Sequence, residues 1–560
     1  MRILGISPYH DSSVAVYSES GLEFYSKEER LTRKKRQPYP LKSFELAIAT
    51  VGPIDLVVIA APGIAPKNID PVKKHISDLL ACPIVEMSDT HHLQHASLAF
   101  YNSGFDEALV FVVDRNGSYF EEEYAREGET VFTASYPCNF ETKTKNYWLY
   151  NVGQEASVRN KELIEKLDLQ GQLNFKSCFS IVKVYETATS LIGQHPLENG
   201  KTMGLSSYGN KANIQPLFRD KYFPIDHKFS HDKKSFFGDS SVAINTELDS
   251  QSIGKVTPEN YQPYADYALN VQLETQEALK QLIGEHLAKT HIKKVCLTGG
   301  YGLNIVANTY VAQAFPDVEF YFEPLADDSG NSIGAAMYHY HKLTQDRTVR
   351  KIEHTFINGV KHDLSVLNNF KNVESSVVDV NFVVDLLAQQ KSVAVFNGLA
   401  ESGPRALGNR SILFDARNPK AKDIVNVIKK REWYRPFAAM ILQEDLHEYF
   451  EKIANIEECR FMTLSYSTRP EKIKDIGGVV HADGTTRIQT VTARDGVCHE
   501  ILTQFKAVTG CPLLLNTSFN LAGEPLVETP EDAMRTLLNC DLDFVWFAET
   551  GQLFKKVSAN

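Results

Sequence analysis

Residues 88–117 read SDTHHLQHASLAFYNSGFDEALVFVVDRNG, and they divide into a helix, a glycine-marked break and a strand. Ser88, Asp89 and Thr90 supply helix-start chemistry, and Leu93, Leu98, Ala99 and Phe100 give the following segment an apolar side. His91 and His95 stand four apart, so one helical face carries both imidazoles at the first turn. The run Ala108–Val113 is apolar throughout, as in a strand buried on both faces, and Asp114 emerges at its end beside Asn116 and Gly117. Strand ends of open α/β sheets are where ligands bind. Two imidazoles with a carboxylate nearby form a ligand set for a divalent metal. Leu93 and Gln94 fill the middle of the pair, so the glutamate base of an HExxH zinc protease is missing and proteolysis is disfavoured.

A chain of 560 residues is too long for one core and predicts about two to four domains. Apolar residues make up 43% and charged residues 23%, an ordinary globular balance. No apolar run approaches the roughly 20 residues that span a bilayer, and Met1–Ile6 enters a strand-like segment directly. A cytoplasmic enzyme with no membrane partner is expected. The eight cysteines are scattered without a CxxC pair, which fits a reducing compartment. A net charge of −11 argues against broad electrostatic capture of nucleic acid, although a local basic groove would not show in that sum.

Outward from the opening stretch, residues 2–6, 14–17 and 22–26 read as strands around the polar turn His10-Asp11-Ser12-Ser13. Residues 108–136 repeat that theme around Asp114–Ser118, with strand-like stretches at 119–124 and 130–136. Two such hairpins suit a duplicated nucleotide-binding fold. Lys294–Asn304 runs from a strand into Gly299, Gly300 and Gly302, where the backbone can approach a phosphate. Residues 320–334 again give a strand, the acidic pair Asp327-Asp328 and a glycine-marked helix start; the pair can cap the helix, supply a metal oxygen, or do both. Asn199–Leu205 places Lys201 between Gly200 and Gly204, a setting suited to an anion.

The helical segment 332–343 ends in the polar stretch 344–351, and turn chemistry resumes at Ile357, so a boundary falls near 344–365. Beyond it stand GPRALGNRS (403–411), REWYRPF (431–437), RIQTV (487–491) and NTSFN (516–520). Arginine grips phosphate and carboxylate bidentately, and several arginines set in glycine or proline turns predict an anion pocket.

With these strings assembled, the chain resembles the NodU/CmcH O-carbamoyltransferases. The resemblance rests on His10-Asp11, EERLTRKK (28–35), HHLQH (91–95), the strand ending in Asp114, GKTMGL (200–205), GGYGLN (299–304), Asp328-Ser-Gly and the four C-terminal strings, in one order over about residues 2–550. It implies residues 1–350 with a duplicated actin/sugar-kinase-like ATPase fold, similar to threonylcarbamoyl-transfer proteins, and residues 351–560 as a YrdC-like α/β domain. The implied activity makes carbamoyl adenylate from carbamoyl phosphate and ATP and passes the carbamoyl group to an acceptor hydroxyl of a small molecule, sugar or natural product.

Carried over by the resemblance, His91, His95, Asp114 and Asp328 would hold a divalent metal of iron type, and His10 and Lys35 would lie at the transfer site. Arg405, Arg435 and Arg487 would hold the donor phosphates, with Asn516, Lys201, Gly204, Gly299, Gly300, Gly302 and Asn304 as further nucleotide or donor contacts. Taken alone, Arg33-Lys34-Lys35-Arg36 is most simply a solvated basic strip. Where the family often has an arginine shortly after NTSFN, this chain has Leu521-Ala522, so a bidentate contact is missing there. Three alternatives stay open: a hydroxymethyl nucleobase as acceptor, with nucleic acid as partner; a tRNA threonylcarbamoyladenosine-type enzyme; and a non-catalytic nucleotide-dependent binding protein. A homodimer is the candidate assembly.

Overall fold

The computed structural model describes residues 1–61, 69–88, 90–114, 117–120, 125–149, 173–175, 181–195, 197–214 and 256–557. Asp89, Arg115, Asn116 and nearly all of the tract 217–262, whose Lys, His, Phe and Asp content suggests an acceptor-recognition segment, lie outside the described residues. The chain divides into two units. The first comprises Met1–Tyr9, Ala15–Glu23 and Gly52–Ile352, and the second His10–Val14, Phe24–Val51 and Glu353–Asn560. The units part at Ile352, and two early segments, His10–Val14 and Phe24–Val51, group with the C-terminal part.

Two sheets carry the same topology. One has the spatial order Gly21–Lys27, Ser13–Ser18, Ile3–Ser7, Leu56–Ile59, Ile84–Glu86. The other runs Asn139–Leu149, Ala125–Ser135, Glu107–Val113, Lys294–Thr298, Glu319–Phe322, with Leu173–Phe175 added at one edge and Tyr119–Phe120 paired to Ala125–Ser135. Numbering the five main strands of each sheet in chain order, both read 3-2-1-4-5. In each, the first strand is parallel to the fourth, and the fourth to the fifth. This is the duplication that the paired polar turns predicted, in a mixed α/β architecture.

Local chemistry explains the elements around the second sheet. Ala108–Val113 is fully buried, as its unbroken apolar run requires. The helix His91–Ser103 ends at Gly104, whose φ of 77° supplies the left-handed cap. Thr90 does not cap that helix with its side chain, contrary to the expectation. The first amide is satisfied from elsewhere: the His91 N–H donates to Ser118 Oγ at 3.1 Å.

The second unit is built on a nine-stranded mixed sheet with the order Val373–Val377, Gln552–Lys556, Phe544–Phe547, Val393–Phe396, Arg410–Phe414, Leu513–Ser518, Ala438–Leu442, Thr485–Val491, Ser465–Ser467. Its core includes Phe396, Ile412, Phe519, Val527, Met534 and Val545. The EERLTRKK string belongs to this unit. Glu28 accepts from the N–H groups of Lys42 and Ser43, and Arg33 donates to the carbonyls of Pro525 and Leu526 and pairs with Asp532 at 3.2 Å. Arg33 is therefore a structural anchor, not part of a solvated strip. Among the described residues, no helix is long and apolar enough to cross a membrane.

Candidate functional site

In the first unit, four side chains converge. His91 Nε2 lies 3.3 Å from Asp114 Oδ2 and 3.5 Å from Asp328 Oδ1, His95 Nε2 lies 3.4 Å from Asp328 Oδ1, and the two Nε2 atoms are 3.2 Å apart. The helix His91–Ser103 supplies the imidazoles, the end of the strand Glu107–Val113 supplies Asp114, and a short 3-10 turn, Asp328–Gly330, supplies Asp328. Asp327 accepts from the Ser329 N–H at 3.1 Å and so caps that turn, while Asp328 faces the imidazoles. Within the acidic pair, the capping side chain and the one that joins the cluster are thus different. Ser7 Oγ donates to the Asp328 carbonyl at 3.2 Å and holds the turn in place.

Glycines complete the setting. Gly299 has φ 82°, and a Cβ there would sit 2.6 Å from the Val113 carbonyl oxygen. That close approach lets the Gly300 N–H donate to Asp114 Oδ1 at 2.9 Å, leaving Oδ2 toward His91. The glycine turn of GGYGLN therefore orients a carboxylate of the cluster.

The donor set fits a divalent cation. All four donor atoms lie within 4.8 Å of one another, and N and O ligands about 2.0–2.2 Å from a shared ion stand at such spacings. Two neutral imidazoles and two carboxylates balance a charge of +2. Burial alone would suppress protonation of His91, yet Asp328 and Asp114 push its pKa up to about 10, a measure of the pull this pocket exerts on a positive charge. Burial opposes ionisation of Asp114, but the His91 hydrogen bond keeps its pKa below the ordinary carboxylate range. The Asp328 side chain is 21% exposed, whereas His91 and His95 are at 2% or less, so Asp328 marks the open side.

The second unit gathers cations at one end of its sheet. Ala438 is paired with Arg487 on one side and with Asn516 on the other. Arg435 lies just before that strand, and Arg405 just before the strand Arg410–Phe414, which pairs with Leu513–Ser518. The four C-terminal strings thus meet because four neighbouring strands begin or end there. Burial and then Arg405, Arg431 and Arg435 hold the Arg487 pKa well below its usual value. Burial followed by Arg435 lowers Arg405 to about 10 and Arg431 well below its ordinary value. A guanidinium does not give up its proton in a protein, so the cluster holds like charges together; Glu432, 3.7 Å from Arg435, is a carboxylate beside them.

Lys429 belongs to the same cluster. It is buried, its Nζ donates to the Asn520 carbonyl at 2.8 Å and to the Ser518 carbonyl, and burial with Arg431, Arg435 and Lys35 pushes its pKa far down. Asn516 donates to Gln489 Oε1 at 2.8 Å and to the Ala406 carbonyl at 3.2 Å, while its buried Oδ1 has no partner among the described residues. Arg410, in the same motif as Arg405, has a different task. It is fully buried, lies 3.5 Å over the Phe396 ring and donates to the carbonyls of Asn397, Asn409 and Gly398. Arg431 and Lys429 were not singled out from sequence, because a lone basic residue is usually a solvated surface charge.

The remaining expected site residues have other local partners. His10 pairs through Nδ1 with Asp11 Oδ2 at 3.0 Å, and Lys35 is exposed. Lys201 pairs with Glu198 at 2.9 Å and donates to Gln194 at 3.1 Å, on the helix Asn199–Ser206 that buries Gly204. Asn304 caps the helix Ile305–Ala314 through the Ala307 N–H and exchanges hydrogen bonds with Gln272, and the Gly302 carbonyl accepts from Asn308.

A family model described as carbamoyltransferase N-terminus matches residues 79–337, and one described as carbamoyltransferase C-terminus matches residues 384–552. Nodulation protein NolNO of Sinorhizobium fredii is 28% identical over 467 residues, covering 81% of this chain and 62% of that protein. Nodulation protein NolO of Bradyrhizobium diazoefficiens is also 28% identical, over 81% of this chain and 76% of its own length. The chain thus spans less than two thirds of NolNO. Among solved structures, full-length HypF in a phosphate- and nucleotide-bound form is 13% identical with a TM-score of 0.36, covering 61% of this chain and 56% of that one; the overlap is too loose to bear on function.

Proposed function

The chain belongs to the carbamoyltransferase family, and on that premise we propose that it is an ATP-dependent O-carbamoyltransferase. In the second unit, carbamoyl phosphate, ATP and water give carbamoyl adenylate, phosphate and pyrophosphate. In the first, the carbamoyl group passes from the adenylate to an acceptor hydroxyl and AMP leaves. The observation that carries this reading is the arginine cluster at one sheet end, where buried Arg487 stands among Arg405, Arg431 and Arg435, whose like charges hold its pKa well below the usual value, a repulsion that a polyanion would offset.

Within that cluster, the arginines bind and orient the phosphates, and Lys429 holds the 518–520 backbone beside them. The unpartnered Asn516 Oδ1 suits the carbamoyl NH2 as a hydrogen-bond acceptor. Lys429 also stands near the position where Leu521-Ala522 leaves out an arginine: the Ala522 N–H donates to the Lys429 carbonyl at 3.0 Å. Lys35, near enough to Lys429 to depress its pKa, reads as an anion contact.

The residues that would hold a divalent ion of iron type are His91, His95, Asp114 and Asp328, and the ion supplies polarisation of the carbamoyl carbonyl and compensation of phosphate charge. His10 is the proposed base. With Nδ1 held by Asp11, Nε2 would be the nitrogen that takes the proton of the acceptor hydroxyl. The acceptor is proposed to be a small-molecule or sugar hydroxyl.

The test is pyrophosphate release from ATP by the full-length chain, with and without carbamoyl phosphate. Release that depends on carbamoyl phosphate is expected. Its absence in metal-replete protein would sink the mechanism.

A further inference from the structure

The four-residue cluster has a fifth polar neighbour. Asn331 opens the helix Asn331–Thr344, three residues after Asp328, and is 1% exposed. Its Nδ2 lies 3.3 Å from His95 Nε2, and its Oδ1 has no hydrogen-bond partner among the described residues. Helix packing forces it there. A Cβ on Gly334 would sit 2.0 Å from the Gln94 carbonyl oxygen, and one on Gly5 would sit 1.9 Å from the Ser332 carbonyl oxygen. The first turn of this helix is thus pressed between the strand Ile3–Ser7 and the helix that bears His91 and His95.

His95 Nε2 has a single lone pair or a single proton. It faces His91 Nε2, Asp328 Oδ1 and the Asn331 amide at 3.2–3.4 Å, more partners than one nitrogen can serve. When Nε2 gives its lone pair to a cation, it cannot also accept from Asn331. The amide would then bury both of its polar ends without partners, a costly state. Rotation of the amide by half a turn removes the conflict. The oxygen and nitrogen of an amide occupy equivalent positions, so Oδ1 takes the place of Nδ2, 3.3 Å from a ligand nitrogen, at the spacing that the other donors keep from one another.

We propose that Asn331 is a fifth protein ligand, its amide oxygen completing the metal site formed by His91, His95, Asp114 and Asp328. This rests on the reading of that cluster as a metal site. A neutral carbonyl oxygen adds a hard donor without adding charge, and it moves the site from four-coordinate toward the higher coordination numbers of oxygen-rich centres.

The test titrates Co(II) into chelator-stripped full-length wild type and into N331A, N331D and H95A, reading affinity by calorimetry and coordination by visible absorption. N331A is expected to weaken binding roughly 10–100-fold and to give the more intense d–d bands of a four-coordinate site. N331D, which keeps an oxygen at the position, is expected to bind at least as tightly as wild type and to keep the weaker bands of higher coordination. N331A with wild-type affinity and spectrum would overturn the proposal, as would an N331D that binds as poorly as N331A. If H95A abolishes binding while N331A leaves it unchanged, the fifth ligand fails and the four-residue site stands; if wild type binds no Co(II), both fail. Melting of the metal-free variants reports whether each is folded, and N331D decides the matter if N331A is not.

Discussion

Glu323 lies five residues before Asp328 and braces the loop between them. It is fully buried, accepts from the Leu325 N–H at 2.8 Å, and is joined by Asn102 at 3.2 Å and Tyr321 at 3.1 Å. Burial raises its pKa from 4.5 to about 7 despite those donors. The folded chain therefore binds a proton that the unfolded chain lacks between about pH 4.5 and 7, and Glu323 withdraws stability as pH climbs through that window. Relative to wild type, E323Q is expected to gain stability across the window, by on the order of 3 kcal/mol in total, and to gain nothing further above it. Chemical denaturation of both proteins at a series of pH values measures this; a difference independent of pH would contradict it. At this scale, His91, His95 and Asp114 were legible because helix spacing and strand-end position are local properties, whereas only the family resemblance separated Asp328 from its neighbour Asp327. By residue type alone Arg405 and Arg410 were not separable, since within one motif the first joins the cationic cluster and the second sits in a cage of backbone carbonyls. Thr90 misled because the residue that satisfies the helix start, Ser118, lies 27 positions away.

Among the elements, the approach of the helices His91–Ser103 and Asn331–Thr344 sets the cluster of His91, His95, Asp114 and Asp328. Gly334 makes that approach possible, since a methyl group there would collide with the Gln94 carbonyl. G334A is expected to cost about 1–3 kcal/mol and to weaken Co(II) binding, because the helices part just where His95 and Asn331 meet. Denaturant midpoints and metal titration check the two effects, and a variant with wild-type values for both would show that the contact yields without cost. The strands Glu107–Val113 and Lys294–Thr298 were readable from their apolar runs. Asn139–Leu149 escaped because its polar, lysine- and threonine-rich sequence shows no apolar face of its own and is held by an eleven-residue antiparallel partner, Ala125–Ser135. The duplication was faint in sequence because what repeats is strand order, while the side chains have diverged.

At the scale of the molecule, the chain returns on itself. Phe24–Val51 groups with Glu353–Asn560, tied by Arg33 to carbonyls more than 490 positions away, a link no local pattern announces. On this account the cationic sheet end of one unit serves adenylate formation, and the donor cluster of the other serves transfer. Carbamoyl-phosphate-dependent pyrophosphate release by H95A and R487A, each compared with metal-replete wild type, tests that division most directly. H95A should keep most of the release while binding no metal, and R487A should lose about a hundredfold. Equal loss in both variants, or wild-type release by R487A, would contradict the account.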